Sequence, residues 1–468
     1  MKTRAIALLP VIGLGVLVPL ACTAESPDKE EIPVPPIATP TGVRPGPNEL
    51  PARPAMPDVL TQNDGTRVTS AAQWPARRAE ILRTLEYYAV GQAPPAPGNV
   101  KGRIVSSQSL AGGKFTYRLV HLTFGPGEKL GLDLGIFTPA GPGPFPAVIA
   151  PAGTPPGATA LPRLPNGPTQ GRGVNVLLVV GGGDTPPPTP PGGGRGGPPD
   201  PERMAETNAA LARGYAYVIF NNNDCGEDTT LRNPDGSWAF RNTRFFPAYP
   251  GYDWGLLRSW AWGVSRLVDY LETDATIDGK KLIVTGTSRT GKSAMVAAAF
   301  DERIAMGAPV VTGGGGIGAY RFAGPRRSET LDVMLMKYPN WFSPQLHPFR
   351  GQRERLPFDQ HWFLAACAPR AFLALEGDAD VISLPEAVRQ SFLGARPAYA
   401  LFGAGEKLGV NYAPHGHTFN ADDWSALLDF ADRHLLGKAV DCRFDRFPTE
   451  AELDAALQRP AVPPARAP

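Results

Sequence analysis

The sequence predicts an α/β fold in which helices cover both faces of a mostly parallel β-sheet. Short apolar runs rich in β-branched residues recur along the chain and indicate buried strands. Amphipathic helical patterns separate many of these runs, as in βαβ units. One of the strands leads directly into a tight turn and a helix, over residues 281–300. With 468 residues, of which 42% are hydrophobic, the chain can build the large core that this fold needs.

The strand predictions follow the apolar runs in chain order. They cover 117–124, 132–138, 145–150, 174–180, 215–220, 281–287, 371–375 and 398–402. Helices are predicted over 202–213 and 292–300, and over 260–271 and 424–435, where apolar residues recur at helical spacing. Because strands that alternate with helices run parallel, their carboxyl ends meet at one edge of the sheet, where such folds bind ligands.

The first residues predict export. Lys2 and Arg4 precede an apolar run that ends just before Cys22. A charged start, an apolar middle and small residues at the end are typical of a signal peptide, here residues 1–21. The position of Cys22 resembles a bacterial lipoprotein cleavage site, and plain cleavage near Ala24 is the alternative. We therefore expect a periplasmic, outer-membrane or secreted protein, anchored to the membrane where Cys22 is lipidated.

Shifts in composition divide the rest of the chain. Residues 22–58 are rich in Pro, show no apolar period and predict a linker. A single α/β domain is predicted over 59–459, with a Pro/Gly-rich surface insertion at 183–200. Residues 460–468 predict a disordered tail.

Charge and cysteine content exclude several classes of protein. The formal net charge is +2, and no run of Lys and Arg is dense enough to predict nucleic-acid binding. Neutral polysaccharides or small molecules suit such a surface better. Three cysteines besides Cys22, namely Cys225, Cys367 and Cys442, are too few for a disulfide-dense scaffold. One disulfide and three buried free thiols both remain open.

The most informative motif, GTSRTG, runs from Gly286 to Gly291. It joins an apolar strand to a helix, as in the nucleophile elbow of α/β-hydrolases, where a sharp turn exposes a serine. The start of the helix also presents backbone N–H groups to a developing oxyanion. We predict Ser288 as the nucleophile. Two alternatives stay open: Ser288 merely caps a helix, or Gly286-x4-Gly291-Lys292-Ser293 is a phosphate loop.

A general base is expected later in the chain than the serine. His415 and His417 lie in a loop between the predicted strand 398–402 and the helix that begins near Asp422. An α/β-hydrolase carries its catalytic histidine in this loop, and we predict His417, which is nearer the helix. A metal site on both histidines is the alternative, although no third ligand at a recognisable spacing accompanies them. We expect neither a metal nor a cofactor.

A carboxylate that orients the histidine is expected after the strand 371–375. Glu376, Asp378 and Asp380 follow this strand, and a Gly three residues before Asp380 gives it the usual offset. We predict Asp380 as the acid, with Asp378 and Glu376 as fallbacks and a solvated acidic loop as the alternative. After the preceding strand, residues 310–318 contain neither Asp nor Glu.

Several motifs around the serine match one known family. Residues 285–292 are similar to its Gly-Cys-Ser-Arg-x-Gly-Lys motif, with Thr287 in place of the Cys. Other matching segments keep the order of the family: 252–255, 301–303, 338–342, 356–361, 368–370, 416–417, 423–424 and 430–432. Over roughly residues 210–437 the chain thus resembles the glucuronoyl esterases.

The resemblance implies an esterase that cleaves esters of 4-O-methyl-glucuronic acid, the type that joins xylan side chains to lignin alcohols. Glucuronoxylan or lignin–carbohydrate esters would then be the partners. The resemblance supports the same nucleophile and base, and it implies that Arg289 stabilises the oxyanion and Lys292 binds sugar hydroxyls. It also extends to Glu329 and Trp362 as substrate-binding residues.

One departure from the family concerns the acid. Many members carry a Glu after the strand that follows the serine, where this chain has Val311. Because Val cannot orient an imidazole, either Asp380 supplies the carboxylate or the enzyme is weak. Two other functions stay open: an esterase for acetyl or other carbohydrate acyl groups, and a non-catalytic binding protein on the same fold.

Overall fold

The computed structural model describes residues 43–165, 200–322 and 329–459. Within them, nine strands form one sheet. The strands are β1 (Lys101–Leu110), β2 (Phe115–Phe124), β3 (Leu130–Pro139), β4 (Phe145–Pro151), β5 (Ala216–Phe220), β6 (Ile277–Thr287), β7 (Ile304–Val310), β8 (Ala371–Gly377) and β9 (Leu408–Ala413). The α-helices are α1 (Trp74–Leu85), α2 (Pro201–Thr207), α3 (Ala209–Ala212), α4 (Leu256–Leu271), α5 (Arg289–Phe300), α6 (Leu331–Lys337), α7 (His361–Ala366), α8 (Pro385–Ala400), α9 (Ala421–Leu436) and α10 (Glu450–Gln458).

The sheet has the strand order β1-β2-β3-β5-β4-β6-β7-β8-β9. The pairs from β1 to β5 are antiparallel, whereas every pair from β5 through β4 to β9 is parallel. The prediction of a mostly parallel sheet is therefore confirmed. Because β6 to β9 run in the same direction, their carboxyl ends share one edge of the sheet.

Helices cover both faces of the sheet. On one face, α4 buries Trp260 and Leu267 and α5 buries a run of small residues. On the other face, Leu211 of α3 and Leu427 of α9 pack in one apolar cluster with Ile283 of β6. Burial of each such large side chain contributes about 1.5–3 kcal/mol, so the two clusters hold the sheet between helical layers.

The predicted strand 398–402 is wrong. Its first three residues end α8, and the last two follow that helix in a turn. The strand that precedes the histidine loop is β9, which pairs with β8. A short apolar run does not distinguish a buried strand from a helix face, and Ala395, Ala398 and Tyr399 form a buried face at helical spacing.

Two further differences have local causes. The helix predicted over 202–213 is split into α2 and α3 at Asn208, whose side chain accepts a hydrogen bond from Leu211 N at 3.0 Å and so caps α3. The edge strand β1 was not predicted, because most of its side chains are exposed and give no apolar alternation.

Residues 43–58, assigned to the linker by the sequence, pack against the folded domain instead. The Arg53 N–H donates to the Glu354 carbonyl at 2.8 Å, and the Arg53 carbonyl accepts from Arg321 Nε at 3.0 Å. The Pro57 carbonyl lies 2.8 Å from Nε2 of His361. The ordered body of the protein therefore begins before residue 59.

Some predictions fall on residues that the structure does not describe. These are the signal peptide 1–21 with Cys22, the strand 174–180, the insertion 183–200 apart from its last residue, and the tail 460–468. Among the described residues, no helix is long and apolar enough to cross a membrane. Cys225 and Cys367 are buried free thiols, and Cys442 is free but exposed. The free-thiol alternative therefore holds for these cysteines, with one of them at the surface.

Candidate active site

Ser288 occupies the sharp turn between β6 and α5. Its backbone has φ 57° and ψ −121°, a strained conformation for a residue with a side chain. The Ser288 N–H donates to the Val310 carbonyl of β7 at 2.9 Å. The Ser288 side chain makes no capping hydrogen bond to α5. The helix-cap alternative is therefore excluded, and the turn has the geometry of a nucleophile elbow.

Two glycines make this turn sterically feasible. A Cβ at Gly286 would lie 2.6 Å from the Thr290 carbonyl oxygen, and one at Gly291 would lie 2.7 Å from the Gly286 carbonyl oxygen. The Thr290 hydroxyl accepts from Thr287 N at 3.0 Å and donates to Thr287 O at 2.9 Å. Thr290 stands where the elbow motif usually has its second Gly, and it stabilises the turn by these two bonds.

His417 and Asp380 meet beyond the ends of β8 and β9. His417 Nδ1 lies 2.9 Å from Asp380 Oδ2, and Asp380 Oδ1 accepts from the Ile382 N–H at 3.0 Å. Asp380 is fully buried, whereas the His417 side chain is 34% exposed. A buried carboxylate on Nδ1 holds the imidazole in the tautomer whose Nε2 is the proton acceptor.

The other carboxylates at this strand end have different partners. Asp378 forms an ion pair with Arg459. Glu376 is fully buried and accepts from the Ser383 hydroxyl at 2.7 Å. Burial, reinforced by the nearby charge of Asp380, raises the pKa of Glu376 to about 8 in spite of the Ser383 bond. Glu376 is therefore mainly protonated at neutral pH.

His415 belongs to a second pair. Its Nε2 lies 3.0 Å from Asp423 Oδ2, and its Nδ1 lies 2.8 Å from the Gly416 carbonyl oxygen. Burial lowers the pKa of His415, but Asp423 outweighs it and leaves this pKa above its usual value. Because His415 and His417 pair with different carboxylates, they do not converge on one metal position. No group of three or more potential metal ligands occurs in the described ranges.

Arg289 and Lys292 extend from the first turns of α5 into a cluster of acidic and aromatic side chains. Arg289 Nη1 donates to Asp228 Oδ2 at 2.5 Å, and Lys292 Nζ donates to Glu329 Oε2 at 3.3 Å. Both cations lie over the Trp341 ring, 5.1 and 5.5 Å from its centroid. The Lys292 side chain is only 1% exposed and already paired, which argues against the phosphate-loop alternative.

Trp362 is not brought into this cluster. The Arg77 guanidinium covers its ring at 4.7 Å, and its Nε1 donates to the Pro57 carbonyl at 3.2 Å. The ring thus lies between α1 and the N-terminal segment, and its contacts are with Arg77 and Pro57. Trp341 is the tryptophan at the site, and sequence reasoning missed it together with Asp228. Its segment, 338–342, had been recognised as a family match, which was the available signal.

Comparisons with known proteins agree with this geometry. A family model described as fungal glucuronyl esterase matches residues 191–403. Carbohydrate esterase MZ0003, from an unknown prokaryotic organism, is 28% identical over 82% of this chain and 90% of its own length. The 4-O-methyl-glucuronoyl methylesterase of Neurospora crassa is 28% identical over 81% of this chain and 82% of its own length. The chain is therefore similar to glucuronoyl esterases over most of its length.

Solved structures of related esterases have the same fold. A promiscuous CE15 esterase from a marine bacterial metagenome has a TM-score of 0.66 at 26% identity, and the match covers 84% of this chain and 100% of that structure. A CE15 glucuronoyl esterase from Caldicellulosiruptor kristjansonii has a TM-score of 0.60 at 26% identity, over 87% and 97% of the two chains. The predicted α/β-hydrolase fold is confirmed.

Proposed function

We propose that this chain hydrolyses esters of 4-O-methyl-glucuronic acid through an acyl-enzyme, with Ser288 as nucleophile, His417 as general base and Asp380 as the acid. One observation carries the proposal: a strained serine elbow and a buried Asp–His pair follow parallel strands whose carboxyl ends share one edge. The names of the curated relatives support the substrate class, since several are 4-O-methyl-glucuronoyl methylesterases.

The proposed reaction has two proton transfers in each half. His417 Nε2 takes the Ser288 hydroxyl proton while Oγ attacks the ester carbonyl, and the imidazolium then protonates the departing alcohol. A water molecule, deprotonated by the same histidine, attacks the acyl-enzyme, and the imidazolium returns the proton to Ser288 Oγ as the bond to the uronic acid breaks. Asp380 stabilises the imidazolium in both halves. The oxyanion would bind the unpaired N–H groups at the start of α5 and the Arg289 guanidinium.

The sugar ring is proposed to bind Lys292 and Glu329. An ammonium beside a carboxylate offers both a donor and an acceptor to sugar hydroxyls, and Lys292 lies one helical turn after Ser288 on the same face of α5. Trp341, whose ring lies under both cations, replaces Trp362 as the proposed aromatic contact. Glucuronoxylan or lignin–carbohydrate esters would supply such groups.

Export is part of the same proposal, because these polymers lie outside cells. Residues 1–21 would direct the chain through the membrane, and lipidation of Cys22 would retain it there. Metabolic labelling with a fatty-acid analogue should mark the full chain and not its Cys22→Ala variant. Unlabelled, freely secreted protein would favour plain cleavage near Ala24.

A substrate panel tests the function. Purified protein should hydrolyse benzyl glucuronate with a higher kcat/KM than aryl acetates, and Lys292→Met should raise KM for the glucuronate about tenfold or more, the effect of losing one hydrogen bond to a charged group. The KM for aryl acetates should not change in this variant. Lys280→Met, which replaces an exposed lysine, is the matched control and should leave both KM values unchanged. A preference for acetates, or an equal effect on both esters, would favour the acyl-esterase alternative. Failure of a phosphonate probe to label Ser288 would favour a non-catalytic protein.

A further inference from the structure

Asp228 joins two parts of the site that come from different segments. Its Oδ2 accepts from Arg289 Nη1 at 2.5 Å, and its Oδ1 accepts from Trp341 Nε1 at 2.8 Å. Arg289 directly follows Ser288 at the start of α5, whereas Trp341 lies between α6 and α7. One carboxylate, with each oxygen on a different partner, therefore sets the distance between a cation next to the serine and an aromatic ring.

The loop that carries Asp228 is held in place on both sides. Asn223 Oδ1 accepts from Asp228 N at 3.0 Å, and Asn221 Oδ1 accepts from Asn223 N at 3.1 Å. On the other side, Asn340 Nδ2 donates to the Thr229 carbonyl at 2.8 Å and ties the aromatic segment to this loop. The position of the carboxylate thus follows from the backbone of both segments.

The Arg289 guanidinium is held in two ways: its edge donates to Asp228, and its planar face lies over aromatic rings. Its guanidinium carbon lies 5.1 Å from the Trp341 ring centroid and 5.5 Å from that of Tyr338. These two rings stack at 4.0 Å with planes 6° apart. Burial lowers the pKa of Arg289, but the Asp228 charge outweighs it and raises this pKa. Since the Arg289 side chain is 44% exposed, part of its five-donor fork stays accessible to a bound oxyanion.

We propose that Asp228 is a positioning residue, which orients the Arg289 guanidinium for the oxyanion and the Trp341 ring for the sugar, and so couples turnover to recognition. This inference rests on the proposed function, because it acts through the roles assigned there to Arg289 and Trp341. Donors aimed in advance at the place where charge develops need no reorganisation in the transition state. Without the carboxylate, a long and flexible guanidinium side chain would have to find that orientation during each turnover.

Two substitutions at Asp228 distinguish the roles of its two carboxylate oxygens. In Asp228→Asn the amide oxygen still accepts from Trp341, but the charge facing Arg289 is lost. We expect kcat to fall about tenfold or more, part of the roughly 10²–10³ that a whole oxyanion donor contributes, with KM within about threefold. Asp228→Ala should in addition raise KM for benzyl glucuronate and not for aryl acetates. The exposed Asp235→Asn is the matched control and should remain parent-like.

A double-mutant cycle tests whether Asp228 acts through Arg289. In an Arg289→Ala background, Asp228→Asn should change kcat by less than about twofold. Equal losses in both backgrounds, at a parent-like melting temperature, would overturn the proposal. The cycle is also measured with an aryl acetate. If the protein prefers acetates, the proposed substrate class is refuted, but the cycle still measures the coupling between Asp228 and Arg289.

Trp341→Phe provides a test that leaves Asp228 in place, should Asp228→Asn fail to fold. It removes the Nε1 donor and keeps an aromatic ring. We expect a higher KM for benzyl glucuronate, an unchanged KM for aryl acetates and a largely retained kcat. An unchanged KM for both esters would contradict the coupling between Asp228 and this ring.

Discussion

The carboxyl ends of β7 and β8 lie side by side in the sheet, yet they carry opposite chemistry. β7 leads into Val311, a fully buried side chain in an apolar cluster, whose backbone has φ 41°. β8 carries Glu376 near its end and leads into Asp380; both are equally buried, but their carboxyl groups have hydrogen-bond partners. The Val311 N–H donates to the Leu375 carbonyl at 2.8 Å, so the two ends are joined through their backbones.

The difference indicates that a carboxylate can approach the histidine from either of two neighbouring strand ends, because both lie at the same edge of the sheet. A β-branched residue at positive φ is an outlier that no local preference explains. Val311 adopts this unusual backbone without a carboxylate, at the position where the resemblance places a Glu in many members of the family. The carboxylate on His417 comes from the neighbouring strand end. One strand end therefore carries an apolar side chain, and the other carries the carboxylate that contacts the histidine.

The largest effect is expected at Ser288, and it tests whether the reaction takes place at the sheet edge where β6 to β9 end. Ser288→Ala should lower turnover about 10⁴-fold or more, because it removes the hydroxyl that the strained turn carries. Circular dichroism and thermal unfolding should match the parent. Turnover of benzyl glucuronate within tenfold of the parent would refute the assignment of Ser288.

The next effect tests whether the β8 end alone supplies the acid. Asp380→Asn should lower turnover about 10³–10⁴-fold, because the amide does not stabilise the imidazolium and disturbs its tautomer. Asp378→Asn and Glu376→Gln are the matched controls and should stay within tenfold. If Asp378→Asn loses turnover and Asp380→Asn does not, the acid is Asp378. If none of the three matters, the site works as a serine–histidine dyad.

A change at the β7 end should affect stability and leave turnover alone. Val311→Thr keeps the side-chain shape but buries a hydroxyl in an apolar cluster, which destabilises by about 1–3 kcal/mol. Urea unfolding measures this loss, while kcat should stay within about twofold of the parent. A drop in kcat beyond tenfold at parent-like stability would mean that the β7 end still takes part in the chemistry.

The last effect is a pH dependence of stability that arises at the β8 end and leaves turnover aside. The pKa of Glu376 is raised from 4.5 to about 8, so between these values the folded state holds a proton that the unfolded state has released. The contribution of Glu376 to stability therefore declines as the pH rises through this window. Between pH 5 and pH 8 the melting temperature should fall less in Glu376→Gln than in the parent. An identical fall in both proteins would contradict the raised pKa.

Much of the fold was predictable because its signals are local. Strand, turn and helix around Ser288 are contiguous in the sequence, and so are the apolar periods of α4 and α9. Errors arose where local signals were ambiguous or weak. The apolar end of α8 matched a strand equally well, and the exposed edge strand β1 gave no alternation.

The site divides in the same way. Asp378 and Asp380 share one face of an extended chain, so alternation could not separate them. The fold separates them, because Asp378 meets Arg459, which directly follows α10, while Asp380 meets His417. Likewise, the resemblance pointed to Trp362, but α1 and the N-terminal segment cover Trp362, and the fold places Trp341 beside Arg289 and Lys292.

The sequence by itself therefore determined the elbow, the parallel sheet and the set of candidate acids and bases, since short-range sterics and periodicity set these features. Only the tertiary structure decided which side chains meet. The His417–Asp380 contact joins residues 37 positions apart, and the Trp341–Asp228 contact joins residues 113 apart. Such pairs depend on how strands are ordered and loops are packed, and no local pattern encodes that order.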